Sequence, residues 1–131
     1  MKNKKDYANN YCAKELGDHG ESIAATYLIE SGYKIIERNF RCKVGEIDII
    51  ASKSDIVAFV EVKSRRVLSF GLPQEAVNHK KMQYIRRVAS YYLTAKMRMR
   101  RLFPDCQFRF DVIEITFVDE NYEINHIKDA F

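Results

Sequence analysis

The chain has 131 residues, 47% of them hydrophobic and 31% charged, with a net charge of +4; this is a globular profile and excludes intrinsic disorder. No apolar run approaches the roughly 20 residues of a membrane helix, and no apolar signal segment follows the basic start Met1-Lys2-Asn3-Lys4-Lys5. Cys12, Cys42 and Cys106 are scattered and the three histidines dispersed, which excludes a disulfide framework and disfavours a zinc site, so residues 1–131 read as one soluble, cytoplasmic domain.

From Asn10 to Glu30 the apolar residues fall at helical spacing, with Leu16, Ile23, Ala24, Tyr27 and Leu28 on one stripe. Gly17 and Gly20 lower helix propensity there and point to a close backbone approach or a break. Gly32 is placed to end the element as a C-terminal cap. Tyr33 to Arg41 reads as a first strand, with Tyr33, Ile35 and Glu37 on one face and Ile36 on the other. Arg38 and Arg41 in it are candidate phosphate contacts.

Gly45-Glu46-Ile47-Asp48-Ile49-Ile50 and Phe59-Val60-Glu61-Val62-Lys63 read as the next two strands. The polar stretch Ala51-Ser52-Lys53-Ser54-Asp55 between them suits an antiparallel hairpin. Side chains alternate along a strand, so Glu61 and Lys63 share one face and Val60 and Val62 the other, while Asp48 faces away from Ile47 and Ile49. The hairpin brings Asp48 beside Glu61, with Lys63 on the same side of the sheet. Two carboxylates about 4 Å apart repel by about 4 kcal/mol at an effective dielectric near 20. Lys63 offsets one charge, and Mg²⁺ or Mn²⁺ offsets more, because hard cations prefer oxygen ligands. Such an ion acidifies bound water and stabilises charge on a phosphate, and Lys63 can hold or deprotonate the attacking water. Glu46, on the Asp48 side, is a further acidic neighbour.

Pro73 opens a second helix that runs to about Lys96, with Ala76, Val77, Tyr84, Ile85, Val88, Ala89, Tyr92 and Leu93 facing the sheet. Tyr84, Tyr91 and Tyr92 read as core more readily than as base-stacking groups. Lysines and arginines crowd this helix and the connector after it. Lys80, Arg98, Arg100 and Arg101 are the candidate nucleic-acid contacts there, alongside Arg38, Arg41 and Arg65. Phe108 to Ile113 alternates as a fourth strand, and Tyr122 to Ile127 forms a fifth after the turn at Asp119-Glu120-Asn121. Asp111, within Arg109-Phe110-Asp111, reads as half of a structural ion pair. The order helix, three strands, helix, two strands implies an α/β sandwich with a mixed sheet of about five strands, its third and fourth strands parallel across the helical crossover. No Gly-rich phosphate loop precedes either helix.

The acidic pair followed by lysine resembles the core of the PD-(D/E)xK, restriction-endonuclease-like nucleases, and the spacing of Asp48 and Glu61 is similar to that of archaeal Holliday-junction resolvases. Gly17-Asp18-His19-Gly20-Glu21, Glu37-Arg38-Asn39-Phe40-Arg41, Gly45-Glu46-Ile47-Asp48, Phe59-Val60-Glu61-Val62-Lys63, Gly71-Leu72-Pro73-Gln74-Glu75-Ala76-Val77, Arg109-Phe110-Asp111-Val112 and Ala130-Phe131 together resemble the YraN-like family of small bacterial proteins. Ile47 stands where the superfamily usually places a proline. The resemblance implies a restriction-endonuclease-like sandwich that hydrolyses phosphodiester bonds in nucleic acid, DNA in the first instance, with Mg²⁺ or Mn²⁺. Asp48, Glu61 and the backbone carbonyl of Val62 would hold the ion, Lys63 would serve the water, and Glu21 would complete the acidic cluster. Two alternatives stand beside it: a non-catalytic nucleic-acid-binding module of the same fold, and an interaction protein whose acidic hairpin is only an ion pair. DNA and RNA, branched and linear, stay open as substrates, and a junction resolvase would act as a two-fold homodimer.

Overall fold

The computed structural model describes residues 13–67, 79–95 and 105–130. In chain order the elements are α1 (Ala13–Glu30), β1 (Lys34–Cys42), β2 (Gly45–Lys53), β3 (Ile56–Val67), α2 (His79–Ala95), β4 (Gln107–Val118) and β5 (Asn121–Ile127). The strands form one five-stranded sheet in the order β1-β2-β3-β4-β5. Neighbours run antiparallel except β3 and β4, which are parallel and separated in the chain by α2. This is the expected mixed-sheet α/β sandwich. The predicted start of the second helix at Pro73 lies outside the described residues.

Among the described residues, each face of the sheet carries one helix. Ala24, Ala25 and Leu28 of α1 pack on Ile49, Ala51, Ala58, Val60, Ile113, Ile115 and Phe117. On the other face Ile85, Val88, Ala89 and Tyr92 of α2 pack on Phe40, Ile47, Ile50, Val57 and Phe59. The hairpins turn tightly. The β2–β3 ladder persists to Lys53↔Ile56, so the expected five-residue loop shrinks to Ser54-Asp55. Ser54 takes a φ of 53°, the sign that two-residue hairpin turns demand at their first central residue.

A bulge alters β1. Ile35 pairs with Ala51, yet Glu37 pairs with Ile50, so two residues of β1 stand against one of β2. Glu37 therefore does not share a face with Tyr33 and Ile35 as simple alternation implies. It meets Tyr92 on the α2 face, and the tyrosine is pushed up to about 12 by burial and then by the charge and hydrogen bonding of Glu37. Tyr92 is core, edge-on to Phe40 with ring centroids 4.8 Å apart. Tyr84 and Tyr91, expected in the core, are instead 39% and 42% exposed. Helix α1 runs unbroken through both glycines. Gly20 is the one that needs its missing Cβ, because a methyl group there would overlap Ser64 Oγ and lie 2.9 Å from Ser64 Cβ.

On the α1 face of β4, Asp111 is fully buried and bonded throughout. Arg109 grips it with Nε and Nη2, both at 2.8 Å, and also donates to Tyr33 Oη at 2.6 Å. His126 of β5 donates from Nε2 to Asp111 Oδ2 at 2.7 Å, its Nδ1 lying 3.1 Å from Tyr27 Oη. The Asp129 amide adds a bond to Oδ1 at 3.1 Å, and the Ala130 amide donates to the Phe110 carbonyl at 2.7 Å. Burial opposes ionisation of Asp111, but the bonds from His126, Arg109 and Asp129 outweigh it and hold the carboxyl down at about 2. The expected structural ion pair is thus the centre of a network that ties α1, β4, β5 and the residues after β5 together. Removing one partner of a buried pair strands the other, so Asp111→Ala should cost about 3–5 kcal/mol in urea unfolding. A loss under about 1 kcal/mol would mean that the network does not hold these elements.

Candidate active site

The site forms where β2 and β3 part. Their ladder ends at Ile49↔Val60, and continuing its register would set Asp48 directly opposite Glu61. At that position Asp48 Oδ2 accepts a hydrogen bond from the Val62 amide at 2.8 Å, in place of a backbone partner. The carboxylate therefore lies in the gap between the strands, at the level of the sheet, rather than on one face with Glu61 and Lys63. The neighbours of Asp48 also depart from simple alternation. Ile49 faces α1 and Ile47 faces α2, whereas period two would place them together. β1 twists with its partner here, Asn39 taking a φ of 53°.

The surroundings of Asp48 are acidic. Glu61, on β3, is 8% exposed, and Glu21 approaches from α1 and hydrogen-bonds Asp48. Asp48 is pushed up to about 8, first by burial and then by the charges of Glu61, Glu21 and Glu46, against which the Val62 amide pulls down. Glu21 is raised by burial and by Asp18 and Glu46, which outweigh the Asp48 hydrogen bond and the charge of Arg38. Among the described residues no three His, Cys, Asp or Glu side chains gather closely enough to hold one ion alone. Asp48 and Glu61 could be joined by backbone oxygen: a strand residue turns its N–H and C=O to the same edge, so the Val62 carbonyl points to the side where Asp48 sits. Such an all-oxygen donor set fits a hard divalent cation completed by water.

The remaining expected site residues divide. Lys63 follows Glu61 on β3, half-buried. Arg38 is exposed, near enough to Glu21 to favour its charge. Arg41 is exposed and pairs with Glu46 at 3.2 Å. Arg65 is mostly buried, its Nη2 3.9 Å from Glu114 Oε1. Lys80 lies in the first turn of α2; its side chain, and Arg98, Arg100 and Arg101, lie outside the described residues. Glu114 was not anticipated, although a glutamate within the apolar run Val112-Ile113-Glu114-Ile115 was the available signal. Gly45, which opens β2, has a φ of 151°, and a Cβ there would collide with the Tyr84 ring.

The fold and this gap define a class of protein: a mixed α/β sandwich with carboxylates gathered where two central strands separate. The chain belongs to the family described as Uncharacterised protein family UPF0102, whose profile matches residues 20–115. It is 46% identical to a UPF0102 protein of Clostridium botulinum over 124 residues, 93% of this chain and 98% of the relative. It is 45% identical to one from Caldicellulosiruptor saccharolyticus over 120 residues, 90% and 98% of the two chains, and 48% identical to one from Alkaliphilus metalliredigens over 119, 91% and 99%. Among the described residues no helix is long and apolar enough to cross a membrane.

The raised carboxyl makes a prediction with a definite sign. Unfolded, Asp48 ionises near its ordinary value of about 3.8; folded and without metal it keeps its proton up to about 8. The folded chain binds the extra proton between those values, so this contribution is fully present below about pH 4 and is lost as pH rises to about 8. In chelator-treated protein, stability relative to Asp48→Asn should fall across pH 5 to 8, by up to about 1.4 kcal/mol per pH unit for one proton. Parallel pH curves for the two proteins would refute the raised carboxyl.

Proposed function

We propose that this protein is a metal-dependent endonuclease that hydrolyses phosphodiester bonds in nucleic acid, DNA in the first instance. The observation that carries this reading is the Asp48 carboxyl, lodged in the β2–β3 gap on the Val62 amide and crowded by Glu21 and Glu61. An ion pair serving stability alone would set a cation against that acid, as Arg109 is set against Asp111. Asp48, Glu61 and the Val62 carbonyl would hold Mg²⁺ or Mn²⁺. When bound, such an ion lowers the pKa of coordinated water and stabilises charge on phosphoryl oxygens.

The chain's own groups do the rest. The Val62 amide fixes the rotamer of Asp48, and Glu21 shares a hydrogen bond with it, so the proton between these acids is released when a cation compensates their charge. Lys63 orients the attacking water or takes its proton. Arg38, Arg41, Lys80, Arg98, Arg100 and Arg101 would meet the phosphate backbone, and a two-fold homodimer would present paired sites to a branched substrate.

Three proteins test the division of labour by metal calorimetry, binding and single-turnover cleavage on branched and linear DNA and RNA. Asp48→Asn keeps the size but removes a ligand charge, so it should weaken Mg²⁺ binding and abolish cutting. Lys63→Ala should retain much of the metal affinity and cut about 10²- to 10⁴-fold more slowly. Wild type that binds nucleic acid, takes up no divalent ion and cuts nothing would instead be a binding module of the same fold. Neutralising Arg98, Arg100 and Arg101 together should weaken binding to all sequences and flatten its salt dependence. Unchanged affinity would remove these three from the interface.

A further inference from the structure

Glu61, Lys63 and Arg65 follow one another at alternate positions of β3, on the face opposite Val60 and Val62. Their parallel neighbours on β4 are Val112, Glu114 and Thr116. Arg65 differs from the other arginines considered for nucleic-acid contact. Its side chain is only 17% exposed, against 76% for Arg41. Its Nη2 lies 3.9 Å from Oε1 of Glu114. Glu114 is itself 8% exposed, and its Oε2 accepts from Asn125 Nδ2 at 3.3 Å. Asn125 is the register partner of Glu114 on β5. A cross-strand row thus aims one guanidinium from the middle of the sheet, and the β-ladders fix its base.

The spacing of the row carries chemistry. A strand rises about 3.3 Å per residue, so Arg65 stands about 6.6 Å beyond Lys63 and twice that beyond Glu61. Two residues of strand are close to the distance between successive phosphates along a nucleic-acid chain. A guanidinium is planar, always charged and matched to phosphate oxygens by paired donors. One already oriented by a carboxylate loses less freedom on binding.

We propose that Arg65, aimed by Glu114 and Asn125, clamps the phosphate next to the one being cleaved. The site then selects an internal linkage of a polynucleotide over a terminal nucleotide or a small phosphate ester. This rests on the endonuclease reading and adds the neighbouring-phosphate subsite to it. Arg65 is a binding and positioning residue, and Glu114 acts through it.

The test uses the oligonucleotide that wild type cuts best with Mg²⁺, synthesised with a single neutral methylphosphonate linkage walked along the cleaved strand. In wild type, one neutral linkage adjacent to the cleaved bond should lower kcat/KM by about 10- to 100-fold, as expected for a lost charge-assisted hydrogen bond. The loss should fall mainly on KM, because the contact is made in ground and transition states alike. In Arg65→Ala the all-phosphate substrate should already show the raised KM, and the same neutral linkage should add little. Arg65→Lys should recover part of the affinity. Arg65→Ala combined with Glu114→Gln, which leaves no unpaired buried carboxylate, should behave as Arg65→Ala does. Equal sensitivity to the neutral linkage in wild type and in both alanine variants would overturn the subsite and leave the endonuclease standing, with Arg65 reduced to neutralising Glu114. A wild type that takes up no Mg²⁺ and cuts no substrate would remove both.

Discussion

The separation of β2 from β3 at Asp48 is the constraint on which the rest of the site depends. Continuing the ladder one step would press the Asp48 and Glu61 carboxylates against each other across a strand pair, where like charges destabilise. The chain instead ends the ladder and gives the Val62 amide to Asp48. Three consequences follow. Backbone groups of β3 come to face a gap instead of a neighbouring strand. The tip of the β1–β2 hairpin turns over, so that Ile47 joins the core under α2. A third acid can enter from α1, whose close approach Gly20 permits by leaving room for Ser64; the next residue, Glu21, reaches Asp48 from there.

Two aspartates of one sheet, Asp111 buried and Asp48 half-buried, show how differently the same side chain is used. Asp111 is ringed by hydrogen-bond donors and the Arg109 guanidinium, which hold it down at about 2 in spite of its burial. Asp48 is ringed by acids, and burial with their charges lifts it to about 8. Desolvation acts in the same direction on both, so the difference lies in the partners. The Asp111 network is electrostatically complete within the chain and reads as structure. The groups that act on Asp48 are mostly acids, and a carboxyl perturbed by burial together with like charges marks a candidate binding or catalytic site.

Much of this was legible in the residues, and the failures have a common cause. Element order, the mixed sheet, the parallel β3–β4 pair and the ion pair at Asp111 all follow from local periodicity and from short-range pairing, which sequence carries directly. The proximity of Asp48 to Glu61 followed from hairpin geometry. What period two could not foresee were its interruptions: the bulge that turns Glu37 toward Tyr92, and the twist that sends Ile47 and Ile49 to opposite faces. Both arise from contacts between elements. His126 seemed one of three dispersed histidines, because its partner Asp111 lies on the neighbouring strand and Tyr27 lies 99 positions earlier. Glu114 sat in an apolar run, and its meaning appeared only once the β3–β4 register placed Lys63 beside it and Arg65 on the diagonal.

Magnitudes explain why the hairpin tip tolerates leaving β3. Each backbone hydrogen bond contributes about 0.5–1.5 kcal/mol net, and the Asp48 carboxylate already satisfies the Val62 amide at the first position where the ladder is lost. Against that loss stand Phe40 and Ile47, 9% and 1% exposed in the core under α2, each worth about 1.5–3 kcal/mol when fully buried. Apolar burial on the α2 face therefore exceeds what one or two ladder bonds would return. The Tyr84 ring set against Gly45 adds a steric limit at the start of β2, since any side chain at Gly45 would have to displace it. Helix α2 thus packs against the hairpin tip beside the β2–β3 gap. A substitution on its inner face at Ile85, which is 1% exposed, would act on the acidic site through the position of the hairpin tip without touching a carboxylate.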